Sequence, residues 1–299
     1  MSVAARIGAF VAMLAVVFGL AWVVGTQVGP VGEPAAVHSE AHESGHSHVT
    51  AAVDRAEVPG GLMVAQNGYA LELADTEVQP GSGRPISFTV TGPDGKPVTA
   101  YDEEHGMDLH LIVVRRDFSG FQHLHPTLDR KGTWHAPVDL TPGAWRVFAD
   151  FKPTGGEAVT LGSDLAVPGT TAPSAETPTT RTTTLDGYTV TLAGDLVAGE
   201  HSMLTLSVSK DGRPVTDLQP YLEAYGHLVA LREGDLAYLH VHPGGEPGDG
   251  KTTPGPDIEF GAEVPSAGGY HLYLDFKHDG VVRTAQFALD ATGAKAGTP

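Results

Sequence analysis

The chain has 299 residues, 38 Gly, 22 Pro and no cysteine, which excludes disulfides, thiolate metal sites, iron–sulfur clusters and cysteine nucleophiles. Acidic residues outnumber basic ones 36 to 18, and a net charge of -18 repels nucleic acid, so DNA and RNA are set aside. The length suits about two domains, 41% hydrophobic residues support packed cores, and the Gly and Pro content points to a loop-rich β protein.

Ile7 to Val24 form an 18-residue run without a charge, preceded by Arg6. At about 1.5 Å per residue it spans roughly the thickness of a hydrocarbon core. Residues 1–25 are therefore expected to form a single-pass signal anchor, with the remaining chain extracytoplasmic at the cell membrane. A secreted protein with a cleaved signal is the alternative. Residues 26–61 lack an apolar period and carry His38, His42, His46 and His48, which predicts a disordered His-rich stalk. Such a tract is either a loose metal collector or a plain soluble spacer.

The remainder is written twice. Gly68-Tyr69 with Leu71 and Leu73 returns as Gly187-Tyr188 with Val190 and Leu192, and Asp94-Gly-Lys-Pro-Val98 returns as Asp211-Gly-Arg-Pro-Val215. Trp145 to Lys152 returns as Tyr270 to Lys277 after a net gain of residues near Gly244–Gly255. Each copy holds short period-two segments between Gly, Pro and Asp turns. The fold class is all-β: two tandem Ig-like antiparallel β-sandwiches after one N-terminal transmembrane helix. The expected domains are 62–168 and 187–290, with a flexible linker at 169–186 and a disordered tail at 291–299.

Histidines mark the same place in both copies. His110, His123 and His125 correspond to His227, His240 and His242, all offset by 117 residues (227 − 110). A hairpin turn at Gly234-Asp235 pairs residues whose numbers sum to 469, and the first copy has a matching sum of 235. In that register each trio shares one face of its hairpin, within reach of long side chains. Three converging imidazoles suit copper or zinc. Asp150 and Asp275 are candidates for a fourth ligand or for an acceptor of an imidazole N–H, and equally for a turn cap. His105 and Met107 precede His110 and add nitrogen or thioether donors in the first copy alone. The competing reading makes both trios hydrogen-bonded scaffolding.

No nucleophile elbow, H-E-x-x-H, P-loop or dinucleotide-binding glycine pattern is present. A non-enzyme is expected, although a three-His ion can activate water and leaves metal-dependent chemistry open.

Asp108-Leu-His110-Leu-Ile-Val-Val, Gln122-His123-Leu-His125-Pro126, Tyr225-Gly-His227-Leu-Val-Ala-Leu and His240-Val-His242-Pro243 resemble secreted actinobacterial proteins with YtkA-like domains. More loosely, the architecture is similar to CopC-type and FixH-type copper-related sandwiches. Those resemblances imply an Ig-like fold and an extracytoplasmic copper role. The N-terminal His ligand of the CopC pattern has no counterpart on an uncleaved anchor. The expected function is copper (alternatively zinc) sequestration or delivery by a membrane-anchored protein. Its partners would be the membrane, through the N-terminal helix, and an envelope protein or metal acceptor. The alternative is a non-enzymatic structural or interaction module that binds no cofactor.

Overall fold

The computed structural model describes residues 58–171, 179–239 and 241–293. The expected anchor, the stalk histidines and His240 lie outside the described residues. Among the described residues no helix is long and apolar enough to cross a membrane.

The first repeat contains β1 (Ala65–Gln66), β2 (Tyr69–Leu73), β3 (Gly81–Thr91), β4 (Tyr101–Asp102), β5 (Leu109–Arg115), β6 (Gln122–Leu124), β7 (Thr127–Leu128), β8 (Thr133–Leu140), β9 (Gly143–Pro153) and β10 (Val159–Val167). They form two antiparallel sheets, ordered β1-β2-β3-β8-β7 and β10-β9-β5-β6, with β4 beside β9. The second repeat contains β11 (Thr182–Leu185), β12 (Tyr188–Ala193), β13 (His201–Lys210), β14 (Arg213–Pro214), β15 (Gly226–Arg232), β16 (Val241–Pro243), β17 (Asp257–Glu263), β18 (Gly268–His278) and β19 (Val281–Ala291). Its sheets run β11-β12-β13-β17-β16, with β14 beside β13, and β15-β18-β19. The chain is thus an all-β tandem of Ig-like sandwiches.

Alternation builds each core. On β3, Ile86, Phe88 and Val90 point inward; Ile86 and Phe88 meet Ala136 and Trp134 of β8 across one ladder, and Val90 meets Leu71 of β2 across the other. The second core uses Leu204, Leu206 and Val208 with Ile258 and Phe260 in the same way. β11 occupies part of the expected linker, and Thr182–Leu185 pair with Tyr188–Thr191. β19 runs to Ala291, and Thr292 bridges Val197, so the expected tail begins inside the sheet.

β5 departs from alternation, since its first six residues are all buried. Leu109, Leu111 and Val113 fill the first sandwich. The opposite face of the strand carries Ile112 and Val114, which join Phe148 of β9 in a third core. That core takes Val229, Leu231 and Tyr273 from the second repeat, so the two sandwiches pack sheet against sheet. Each fully buried apolar side chain there contributes on the order of 1.5–3 kcal/mol.

The packing is a pseudo-twofold between the copies. Phe121 stacks on Tyr273 at 3.8 Å, and the equivalent pair, Tyr238 and Phe148, meets at 5.9 Å. Contacts between equivalent residues mark the axis: His110 stacks on His227, and Gly106 faces Glu223. Such reciprocal pairing is the pattern of an isologous dimer, here within one chain.

The last residues of the expected stalk are part of this assembly. Gly60 bridges Tyr238 of the second repeat, and the Gly61 N–H donates to Thr160 O of the first. The buried Arg146 guanidinium donates to Gly61 O, Leu62 O and Asp164. Gly162 permits this close approach, because a Cβ there would lie 2.0 Å from Gly61 O.

Candidate metal centre between the repeats

Two short turns deliver the central histidines. Glu104 to Met107 form a tight turn closed by reciprocal backbone bonds between its ends, with φ of 52° at His105 and 72° at Gly106. Tyr221 to Ala224 repeat that turn with Leu222 and Glu223 at positive φ. Both leave the chain on the interface face of the following strand, where His110 and His227 are the first outward side chains.

The β5–β6 ladder pairs Ile112 with His123 and Leu111 with Leu124, the register in which numbers sum to 235. Leu124 packs against the sandwich core, so its two neighbours turn to the interface. His110, His123 and His125 each present one ring nitrogen, and these three atoms lie within 4.8 Å of one another. The His227 ring lies 4.7 Å from His123 and 5.2 Å from His110, and His105 lies 5.4 Å from His227. Five imidazoles therefore gather at one end of the interface.

Their hydrogen bonds run in a line. His110 Nε2 meets Glu104 O at 2.9 Å, and His110 Nδ1 meets His123 Nε2 at 3.0 Å. His123 Nδ1 meets Asp275 Oδ2 of the second repeat at 2.8 Å, and Thr284 Oγ1 donates to the other Asp275 oxygen at 2.6 Å. Three contacts in this line need three hydrogens. Two neutral imidazoles carry one each, and a carbonyl and a carboxylate carry none. The line is one proton short unless Asp275 or an imidazole is protonated. The Nε2 atom of His125 is buried without a hydrogen-bond partner.

Burial opposes charge on the rings. His123 and His227 are held well below the ordinary histidine range by desolvation and then by neighbouring imidazoles, and His110 is lowered chiefly by burial. His125 is lowered to about 4, again mainly by burial, and burial raises Asp275 to about 6. The His123–Asp275 contact is thus a neutral imidazole facing a carboxyl group that retains its proton into weakly acidic pH. The unfolded chain takes up protons at its histidines below about pH 6.5, while the folded chain resists them. Stability from the four imidazoles is therefore present above that pH and lost toward pH 4. Asp275 acts in the opposite sense between about pH 4 and pH 6, one group against four. The metal-free protein is expected to melt at a lower temperature at pH 5 than at pH 7 by circular dichroism. An unchanged or higher midpoint would mean that the rings are already charged in the fold.

The second repeat does not reproduce the first cluster among the described residues. Its turn keeps the register: Leu231 bridges Tyr238, and the Leu239 N–H donates to Ala230 O. The chain then crosses to the other sheet, where Val241 and His242 pair with Ala262 and Gly261. His242 is exposed there, and His227 joins the first-repeat histidines instead. Among the described residues, histidines of both repeats thus meet in one shared cluster. In the first repeat, crossing waits until Thr127, after His125-Pro126. Asp150 stands opposite His110 and accepts from Thr160 Oγ1 at 2.7 Å, whereas Asp275, opposite His227, reaches His123. Met107 ends the turn through its backbone bonds to Glu104. Sequence reasoning missed Thr284, Thr160 and the Glu104 carbonyl; the repeated Asp strands were the only signal pointing toward the first two.

These sandwiches place the chain among tandem Ig-like β-proteins. More narrowly, it belongs to the family described as a domain of unknown function, DUF8832, matched twice, at residues 64–169 and 182–293. That match does not confirm the YtkA-like, CopC-type and FixH-type resemblances. No curated protein matches the sequence. Among solved structures, the Escherichia coli adhesin FdeC is similar at 16% identity and a TM-score of 0.24, over 77% of this chain and 65% of that one. The Yersinia pseudotuberculosis adhesin InvE follows at 10% and 0.23, over 78% and 64%. Domains 4 and 5 of the S-layer protein SbsC stand at 9% and 0.22, over 77% and 99%. The chain thus spans a little under two thirds of the length of the two adhesins, and TM-scores this low carry no argument about function.

Proposed function

We propose that the chain is a non-catalytic, extracytoplasmic metal-binding protein that holds one transition-metal ion in the histidine cluster between its repeats. The missing proton in the imidazole line carries this reading. An ion on His110 Nδ1, His123 Nε2 and His125 Nε2 removes the shortage: His110 gives its remaining N–H to Glu104 O, and His123 gives its own to Asp275. That is the carboxylate–histidine–metal arrangement by which outer partners orient ligands. Neutral rings at pH 7 need no deprotonation before binding. An all-imidazole donor set of this kind suits copper or zinc. Rotation of the half-buried His125 closes the remaining gap. The uncharged N-terminal run supports a membrane anchor, and sequestration or delivery to an envelope acceptor fits an ion held by only three side chains.

A structural module with a scaffolding histidine network is the second reading, favoured by the hydrogen bonds that already occupy His110 and His123. Copper(II) and zinc titrations separate the two, using the full chain with His38, His42, His46 and His48 changed to Gln. The metal reading expects one ion per chain and a loss of at least about tenfold in affinity for His125→Ala. Equal weak binding by both proteins, with both folded, would leave scaffolding.

A further inference from the structure

We infer that His105 and His227 form an entry site for the metal ion, through which the buried cluster loads and unloads from a cleft between the repeats. This rests on the metal reading above and adds a route. The side chain of His123 is 1% exposed and His110 is 2% exposed, so neither meets an incoming ion directly. His105 and His227 line a cleft of about 1080 Å³ that also presents Glu104, Asp150, His201 and Glu263, whereas His110 and His123 do not. No lysine or arginine lines it among the described residues. Its walls therefore attract cations and offer imidazole nitrogen.

The pair has the spacing of a shared ion. An imidazole centroid sits about 3.1 Å from an ion bound at 2.0–2.1 Å, so two rings on one ion have centroids about 4.5–5 Å apart. The His105 and His227 centroids are 5.4 Å apart and their planes are 80° apart, within reach of a small side-chain rotation. His227 then stacks on His110 at 5.2 Å and 11°, which puts the next ligand one ring away. His105 holds a positive φ of 52°, a conformation that costs a side chain and is kept here at the cleft wall.

The test is the rate at which the full chain takes up copper(II) from a weak buffer complex, with the four stalk histidines changed to Gln. His105→Asn removes the imidazole, and asparagine tolerates the left-handed backbone. The expected result is loading at least tenfold slower, and release to a chelator slowed likewise, with one ion per chain retained. Loading at the parent rate would overturn the inference and move entry to the His125 side. Loss of the stoichiometric site in His105→Asn would also overturn it, because His105 would then be a ligand of the buried ion. Absence of binding by the parent protein would bring down the metal reading itself, and this inference with it.

Discussion

Replacing His123 with leucine is expected to abolish tight metal binding and to destabilise the fold by about 1–3 kcal/mol, the cost of leaving a buried hydrogen-bonding partner unsatisfied. The His123 side chain touches both His110 of its own repeat and Asp275 of the other. Its loss removes a ligand, so affinity should fall by more than the 10–100-fold typical of an outer partner. It also leaves the Asp275 carboxyl group, 3% exposed, with the Thr284 hydroxyl as its hydrogen-bond donor among the described residues. A second substitution, Asp275→Leu, should recover much of that stability, because removing both partners strands no polar group. Copper titration and urea unfolding of the single and double variants read the two effects separately. Equal destabilisation by the double and single variants would show that the pair is not coupled.

The second large effect is expected at Phe148, which binds nothing. Phe148→Ala should cost about 3–5 kcal/mol, since the ring is fully buried in the interface core beside Ile112, Val114 and Tyr238. Metal affinity should fall as well, although no ligand changes, because that interface holds Asp275 against His123. A variant that loses stability but keeps full affinity would show that cluster and interface are independent.

Much of the candidate centre was legible before any coordinates. The repeat spacing singled out His110, His123 and His125, and the two-residue period placed them on one face. The ladder register around Ile112 and His123 agrees, because a hairpin turn and an inward Leu124 leave little freedom. The fate of the second trio was not legible. His227 and His242 share a hairpin in the sequence, yet the strand after Leu239 crosses to β17 before His242 is reached. Local alternation is the same whichever sheet receives the strand, and only the packing of the whole sandwich chooses.

The repeat, the all-β class, the absence of thiolate chemistry and the face on which each first-repeat histidine stands can all be read from the amino-acid order alone. These follow from composition and from period-two patterning, which act over a few residues. Long-range packing is what makes the repeats bury sheet faces against each other, clamps the segment around Gly60 and Gly61 between them, and brings Asp275 of one to His123 of the other. The double-sided burial of β5 reads in sequence as a mere apolar run, Leu-Ile-Val-Val, and an apolar run does not say what covers it.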